Sequence, residues 1–393
     1  MSTPPPSEMG SPARDSESSP AQDRAQDRAQ DRAQDRAQET DSASRGQAAA
    51  GDQTPDSDQD AISRTPDLAD AGKMDPALTT IQPGGGVVMS IELAWGRLRR
   101  FLLRKLRPGY VAQMAAVRQG DRGSLPFDPI DTRDVKYYRN QDTYWWGESD
   151  DPFAWRDGLP FVRAGLGELI LLGGGCLLLA ALLALVWWPL ALPLLVVFGL
   201  IVWFFRNPTR EVPQQLGTVV SPADGKLVQI ETVEDPELGP CLQFGIFLSI
   251  FNVHANRSSL PGRVLAVRYR PGKFLNALRP ESAQENENLD LVMVDEEGIA
   301  SGVEGRMFRI RQITGQFARR IVCWVRPGDV LDRGEMYGMI KLGSRTELLI
   351  PTHESLEIVA GLGDKVSAGS TVLARYRPLV RNLNPSTEAS TDR

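Results

Sequence analysis

Residues 325–338 read VRPGDVLDRGEMYG and residues 360–376 read AGLGDKVSAGSTVLARY, and both stretches carry the spacing Gly-Asp-x-Val/Leu-x-x-Gly. Pro-Gly and Gly-Asp pairs mark tight turns, and a glycine five residues after the aspartate lets a short strand bend away. The pattern continues upstream. KLVQIETV, CLQFGIFLSIF, RVLAVRYR, RMFRIRQI, RRIVCWV and TELLIP are runs of strand length, separated by Pro-Gly, Gly-Asp and Asp-Gly turns. Residues 212–380 are therefore expected to form a mainly β domain, with 381–393 a flexible tail.

Working towards the N-terminus, the 37 residues from Leu169 to Phe205 contain no charged side chain. That is nearly twice the roughly 20 needed to cross a bilayer once. Trp187, Trp188 and Pro189 divide the run, so residues 161–208 read as a transmembrane helical hairpin, or as a shallower re-entrant pair, with the tryptophans at an interface. Arg163 precedes the run and Arg206 and Arg210 follow it. The positive-inside tendency then puts both ends in the cytoplasm, with the chain in the inner (plasma) membrane and the β domain cytoplasmic.

Residues 86–160 form an accessory region. Trp95, Leu98, Phe101, Leu102 and Leu106 recur at helical spacing among Arg97, Arg99, Arg100, Arg104, Lys105 and Arg107. This basic amphipathic helix either lies on an anionic bilayer or packs on the rest of the protein. Residues 1–85 repeat Ala-Gln-Asp-Arg in a polar stretch holding 16 acidic and 8 basic side chains, and are expected to be a disordered tail. The formal charge of -6 thus belongs to that tail, and the balanced remainder gives no sign of nucleic-acid binding. Cys176, Cys241 and Cys323 are widely spaced, which argues against a disulfide framework or a zinc site.

The chemistry is bounded by scarcity. With only His254 and His353 present there is no His-x-His or His-Glu-x-x-His, so no metal site is expected, and no nucleophile elbow, phosphate loop or dinucleotide fingerprint occurs. What remains is Asp224 in SPADGK, His254 in FNVHANR and Ser344 in IKLGSRTELLIP. An acid, an imidazole and a hydroxyl are the parts of an activated serine. Each also has a plainer reading: a turn aspartate, a packed core histidine and a strand-edge serine.

The sequence LGSR at 342–345 resembles the processing motif of the short bacterial phosphatidylserine decarboxylases. FFRNPTREVP, SPADGKL, FLSIFNVHANRSSLPG, YRPGKFLNAL followed by ENEN, QITGQFARRIVCW and VRPGD are similar to that family's segments and occur in its order. The resemblance covers about 161–375 and implies a self-processing triad of Asp224, His254 and Ser344. Cleavage between Gly343 and Ser344 would leave subunits 1–343 and 344–393 as a heterodimer and convert Ser344 into a pyruvoyl group. The implied reaction turns phosphatidylserine of the bilayer into phosphatidylethanolamine and carbon dioxide. The repeated Gly-Asp turns also resemble the hammerhead strands of lipoyl-like barrel-sandwich folds. The competing reading is a non-enzymatic, membrane-tethered lipoyl-like adaptor, against which the lack of sustained heptads counts. A decarboxylase of a phosphatidylserine analogue is the alternative within enzymes.

One departure from the family's longer branch is Phe251, which stands where that branch has a second histidine. The polar stretch from Lys273 to Asn288, with Asn276, Glu285, Asn286 and Glu287, either closes over a head group or remains a mobile surface loop.

Overall fold

The computed structural model describes residues 74–75, 78–120, 127–135, 144–279, 281–297, 306–316, 320–341 and 343–377. The strands of the accessory region are β1 (Arg118–Gly120) and β2 (Tyr144–Trp146), which pair with each other. Those of the β domain are β3 (Thr218–Val220), β4 (Gly225–Asp235), β5 (Gly239–Leu248), β6 (Ala255–Arg257), β7 (Gly262–Arg270), β8 (Asn288–Asp295) and β9 (Met307–Thr314). They continue as β10 (Arg320–Cys323), β11 (Val330–Leu331), β12 (Met336–Lys341), β13 (Ser344–Pro351), β14 (Leu356–Ile358), β15 (Lys365–Val366) and β16 (Val372–Tyr376).

An eight-stranded antiparallel sheet runs β11-β7-β8-β9-β13-β5-β4-β15, accompanied by three-stranded sheets β10-β12-β6 and β14-β16-β3. Register shifts at Leu227/Gln229 and Val264/Ala266 add local twist, and the large sheet curls into a half-barrel. Its core contains Leu227, Phe244, Ile246, Leu248, Leu291, Met293, Phe308, Ile310 and Leu348, all fully buried. At roughly 1.5–3 kcal/mol for each such side chain, this core supplies the main driving force for folding. The two Gly-Asp repeats form matching turns. Gly334 (φ +74°) and Gly369 (φ +75°) both take the left-handed backbone, and a Cβ on Gly334 would lie 3.4 Å from the Gly369 Cα. The repeat therefore encodes two equivalent bends that pack on each other.

The expected boundary of the N-terminal tail needs correction. Residues 1–73 lie outside the described residues, as does the expected C-terminal tail 381–393. Met74 and Leu78, however, belong to the main core, and Ile81 belongs to a second cluster with Val162, Phe204, Phe205 and Val253. These apolar side chains are too sparse to show a period, yet each is buried in one of the two cores.

Helix α1 (Val87–Leu106) turns two of its basic residues inward, while Arg97, Arg104 and Lys105 are exposed. Arg99 and Arg100 are buried against Asp134, which also accepts the Ile130 N–H at 2.8 Å, whereas Trp95, Leu98, Phe101, Leu102 and Leu106 are exposed. A short helix, α2 (Pro108–Ala116), follows.

The apolar run forms two antiparallel helices. Helix α3 is the continuous helical run Arg163–Val186, with a π turn at Leu169–Gly173, and is long and apolar enough to cross a membrane. Helix α4 (Ala191–Phe204) is shorter than a full span. Their outer ends are tied together by Val162 N–H to Phe205 O at 2.9 Å and Asn207 N–H to Pro160 O at 2.8 Å. Both ends therefore meet the β domain on one side, with Trp187 and Trp188 exposed at the far tip.

Candidate active site

Strands β12 and β13 belong to different sheets, yet only Leu342 and Gly343 separate them. A link this short leaves no room for a gradual turn. Gly343 meets the demand in the left-handed region (φ +56°), which costs glycine little and other residues more. Ser344 follows at once, paired to Leu248 on β5 and Thr314 on β9, so it sits in the middle of the large sheet. It has no solvent exposure, and its Oγ has no hydrogen-bond partner. A buried hydroxyl without a partner is costly for structure alone.

Two neighbours crowd this junction. Gly315 packs so closely that a Cβ there would stand 2.3 Å from the Gly343 carbonyl oxygen, and Ala277 lies beside the same spot. The imidazole arrives from β6. Register pairs Ala255 with Met339, and the Ile340 N–H bonds the His254 carbonyl at 3.1 Å, which carries the ring towards the end of β12. His254 Nδ1 lies 2.9 Å from Asn252 O, and its Nε2 accepts the Gly343 N–H at 3.3 Å. These partners assign the proton to Nδ1 and leave the Nε2 lone pair facing the junction. Burial pushes the ring down to about 4, partly opposed by the bond to Asn252, while the Arg206 charge acts in the same direction as burial. A neutral imidazole is thus maintained at physiological pH.

The two sheets are clamped across the junction. Gln312 donates to Asn256 Oδ1 at 2.9 Å, and Asn256 donates to Thr346 Oγ1 at 3.1 Å, joining β9, β6 and β13. Lys341, three residues before Ser344, is buried against Glu168 of α3 and Gln82, so the base of the hairpin grips the end of β12.

The third expected residue occupies a different position from the one a catalytic triad would give it. Asp224 accepts Arg210 Nη2 on both oxygens at 2.8 Å and the Ala368 N–H at 2.8 Å. The group on His254 Nδ1 is the Asn252 carbonyl, in a turn closed by Asn252 Oδ1 with the Ser249 N–H at 2.8 Å. The link from Asp224 to the ring passes through charge: Asp224 lies within electrostatic range of Arg206, which in turn acts on His254.

Phe251 has an exposed side chain, and its carbonyl accepts from Arg206 and from Trp203 Nε1, so the family's second imidazole has no side-chain counterpart in this turn. The stretch from Lys273 to Asn288 is tied down. Asn286 Nδ2 donates to Leu275 O at 2.9 Å and to Thr314 O at 2.7 Å, and the Glu287 carbonyl takes the Thr314 N–H at 3.0 Å. It therefore braces the strand that pairs with Ser344. His353 is exposed, and its ring bonds to Ser355 nearby. Sequence reasoning missed Gly315, Lys341, Glu168, Gln82 and Asn252. Gly315 lies inside the QITGQF segment, but nothing in a lone glycine foretells a carbonyl packed on it.

Comparison with known proteins follows the same residues. The family model for phosphatidylserine decarboxylase matches residues 197–374. A phosphatidylserine decarboxylase proenzyme of Rhodopirellula baltica is 65% identical over 243 residues, covering 62% of this chain and 99% of the relative. Proenzymes of the same name from Cupriavidus pinatubonensis (37% over 224 residues, 57% of this chain and 95% of the relative) and Nitrosomonas eutropha (42% over 191 residues, 48% and 84%) are also similar. A mainly β domain with an apolar helical run before it, the SPADGK, NVHANR and LGSR segments and near-complete coverage of these relatives argue against a non-enzymatic adaptor, and the chain belongs to the phosphatidylserine decarboxylase family and is a decarboxylase.

Proposed function

We propose that this chain is a precursor that cuts itself between Gly343 and Ser344 and then converts phosphatidylserine to phosphatidylethanolamine and carbon dioxide. The observation that carries the reading is the junction itself: a buried, unpartnered Ser344 hydroxyl next to a left-handed glycine whose N–H is bonded to His254 Nε2. His254 takes the hydroxyl proton as Oγ attacks the Gly343 carbonyl carbon. The carbon–nitrogen bond breaks, the new amine receives the proton, and an ester joins the two halves. Loss of the Ser344 α-proton then expels the Gly343 carboxylate by β-elimination. Water hydrolyses the resulting dehydroalanine and releases ammonia, leaving a pyruvoyl group at 344.

The residues around Ser344 fit that group. Its position in β13 is flanked by β5 and β9, and Gly315, which has no side chain, lets the neighbouring Gly343 carbonyl pack against it. The pyruvoyl carbonyl supplies an electron sink for decarboxylation of an amino-acid head group. His254 remains placed to hold or return a proton at residue 344. Strand β13 pairs over eight residues with β5 and six with β9, so residues 344–393 stay bound to 1–343 as a heterodimer after the cut.

The exposed apolar side of α1 and the hairpin α3–α4 support a reading in which the enzyme sits on the bilayer that holds its substrate, with the β domain cytoplasmic. The test is turnover. Purified protein in vesicles of phosphatidylserine should release carbon dioxide and form phosphatidylethanolamine in equal amounts, and a protein that does neither would refute the reading.

A further inference from the structure

Three guanidinium groups gather where the second helix of the hairpin enters the β domain. Arg206 comes two residues after α4, Arg210 four residues later, and Arg257 ends β6, which begins one residue after His254. Several other arginines in this domain are matched to carboxylates: Arg309 to Asp235 at 2.6 Å, Arg311 to Asp290 at 2.6 Å, Arg345 to Glu347 at 2.8 Å. Here, among the described residues, Asp224 alone pairs with the cluster, through Arg210. Arg206 is bonded to the carbonyls of Trp203 (2.6 Å) and Phe251 (3.0 Å), and Arg257 to Gly334 O (2.8 Å) and Asn207 Oδ1 (2.9 Å). Among the described residues, Arg206 and Arg257 thus have no carboxylate within ion-pair distance, and two positive charges are left without an anion. An unmatched cationic cluster costs stability unless something negative completes it.

Its location says what that something is. The Arg206 guanidinium lies 3.9 Å above the Trp203 ring, on an exposed rim with Phe251, at the end of an apolar helix. On the inner side, Phe204 packs on the His254 ring at 4.5 Å between centroids. The cluster thus sits between the bilayer edge and the junction at 343–344. Guanidinium groups match phosphate oxygens in geometry as well as charge.

We propose that Arg206, backed by Arg210 and Arg257, binds the phosphodiester of the lipid substrate and so presents its amino-acid head group to residue 344. This rests on the decarboxylase reading above. Asp224 on this view sets the charge of the site, leaving a net of two positive charges to meet the lipid.

The test uses purified, processed enzyme in neutral detergent micelles, comparing the parent with Arg206→Gln and Arg206→Lys. Phosphatidylserine is varied as a mole fraction at fixed total lipid, and total lipid is then varied at fixed mole fraction. Arg206→Gln should yield both subunits, raise the mole-fraction KM about tenfold, as expected for one charged hydrogen bond, and change kcat less than about threefold. Arg206→Lys should recover most of the loss. Sedimentation with phosphatidylglycerol vesicles should be unchanged. An unaltered mole-fraction KM, or a defect confined to sedimentation, would overturn the proposal and make Arg206 a general membrane anchor. Competitors distinguish the ligand: glycerophosphoserine should inhibit the parent competitively, with free serine and inorganic phosphate much weaker. Equal inhibition by serine removes the phosphate site, and equal inhibition by inorganic phosphate assigns the site to free phosphate instead of lipid. These competitor results stand if Arg206→Gln fails to process. A parent with no turnover on phosphatidylserine would instead refute the decarboxylase reading on which the proposal rests.

Discussion

Substituting Gly315 by alanine adds one methyl group directly over the bond that is to break. An ideal Cβ at 315 stands 2.3 Å from the Gly343 oxygen and 3.1 Å from its carbon. Ordinary carbon–oxygen contacts lie at about 3.3–3.6 Å, so the scissile carbonyl must retreat by roughly 1 Å. Overpacking of this kind costs about 1–3 kcal/mol, which a domain with a stability of about 5–15 kcal/mol survives. The chain should fold, but a displacement of about 1 Å between reacting groups costs on the order of a hundredfold in rate. Cell-free synthesis followed by a time course on denaturing gels measures this directly. Gly361→Ala is the control, since a Cβ there meets only Asp364 at an ordinary 3.5 Å. Cleavage of Gly315→Ala at the parental rate, or equal slowing in Gly361→Ala, would refute the reasoning.

Removing the Ser344 hydroxyl as Ser344→Ala should leave the chain whole and inactive, and two subunits on a gel would count against the mechanism. His254→Ala should slow self-cleavage by a factor of about a hundred to ten thousand, whereas the exposed His353→Ala should cleave normally; the reverse pattern would reassign the base. Asp224→Asn should lower stability by roughly 3 kcal/mol, because it strands Arg210, and should slow cleavage less than His254→Ala; thermal unfolding of an uncleavable Ser344→Ala background separates the two effects. The pH dependence has a definite sign. With the folded His254 held down to about 4 against an ordinary 6.5, the unfolded chain binds more protons between those values. Its contribution of about 3 kcal/mol is therefore present above pH 6.5 and lost as pH falls towards 4, and cleavage should keep its rate well below pH 6.5. A midpoint for cleavage near 6.5 would show that the ring is not held neutral by burial.

The parts of the fold that depend on local pattern were legible. Turn glycines such as Gly334 and Gly369 announce themselves by spacing, and the uncharged run from Leu169 to Phe205 announces two apolar helices. Partners in space were less so. Asp224, His254 and Ser344 are identifiable as chemistry-bearing residues, but that Asn252 O and not Asp224 meets the Nδ1 of His254 depends on a turn whose geometry no spacing encodes. Helix α1 shows the same limit. Its apolar and basic residues are clear, yet that Arg99 and Arg100 are the ones that pack inward is decided by Asp134, on a separate segment. Leu78 was hidden because one apolar residue in a polar stretch has no period, and Gly315 because the carbonyl it accommodates lies 28 positions away in sequence.

The central claim is a covalent one, and the intact mass of the purified protein tests it most directly. The account predicts two chains, residues 1–343 ending at Gly343 and residues 344–393 starting with a pyruvoyl group. The smaller chain should be blocked to amino-terminal degradation and lighter than the encoded peptide by the difference between serine and pyruvoyl. A single chain of the full encoded mass in an active preparation, or a smaller chain with a free serine amine, would contradict it.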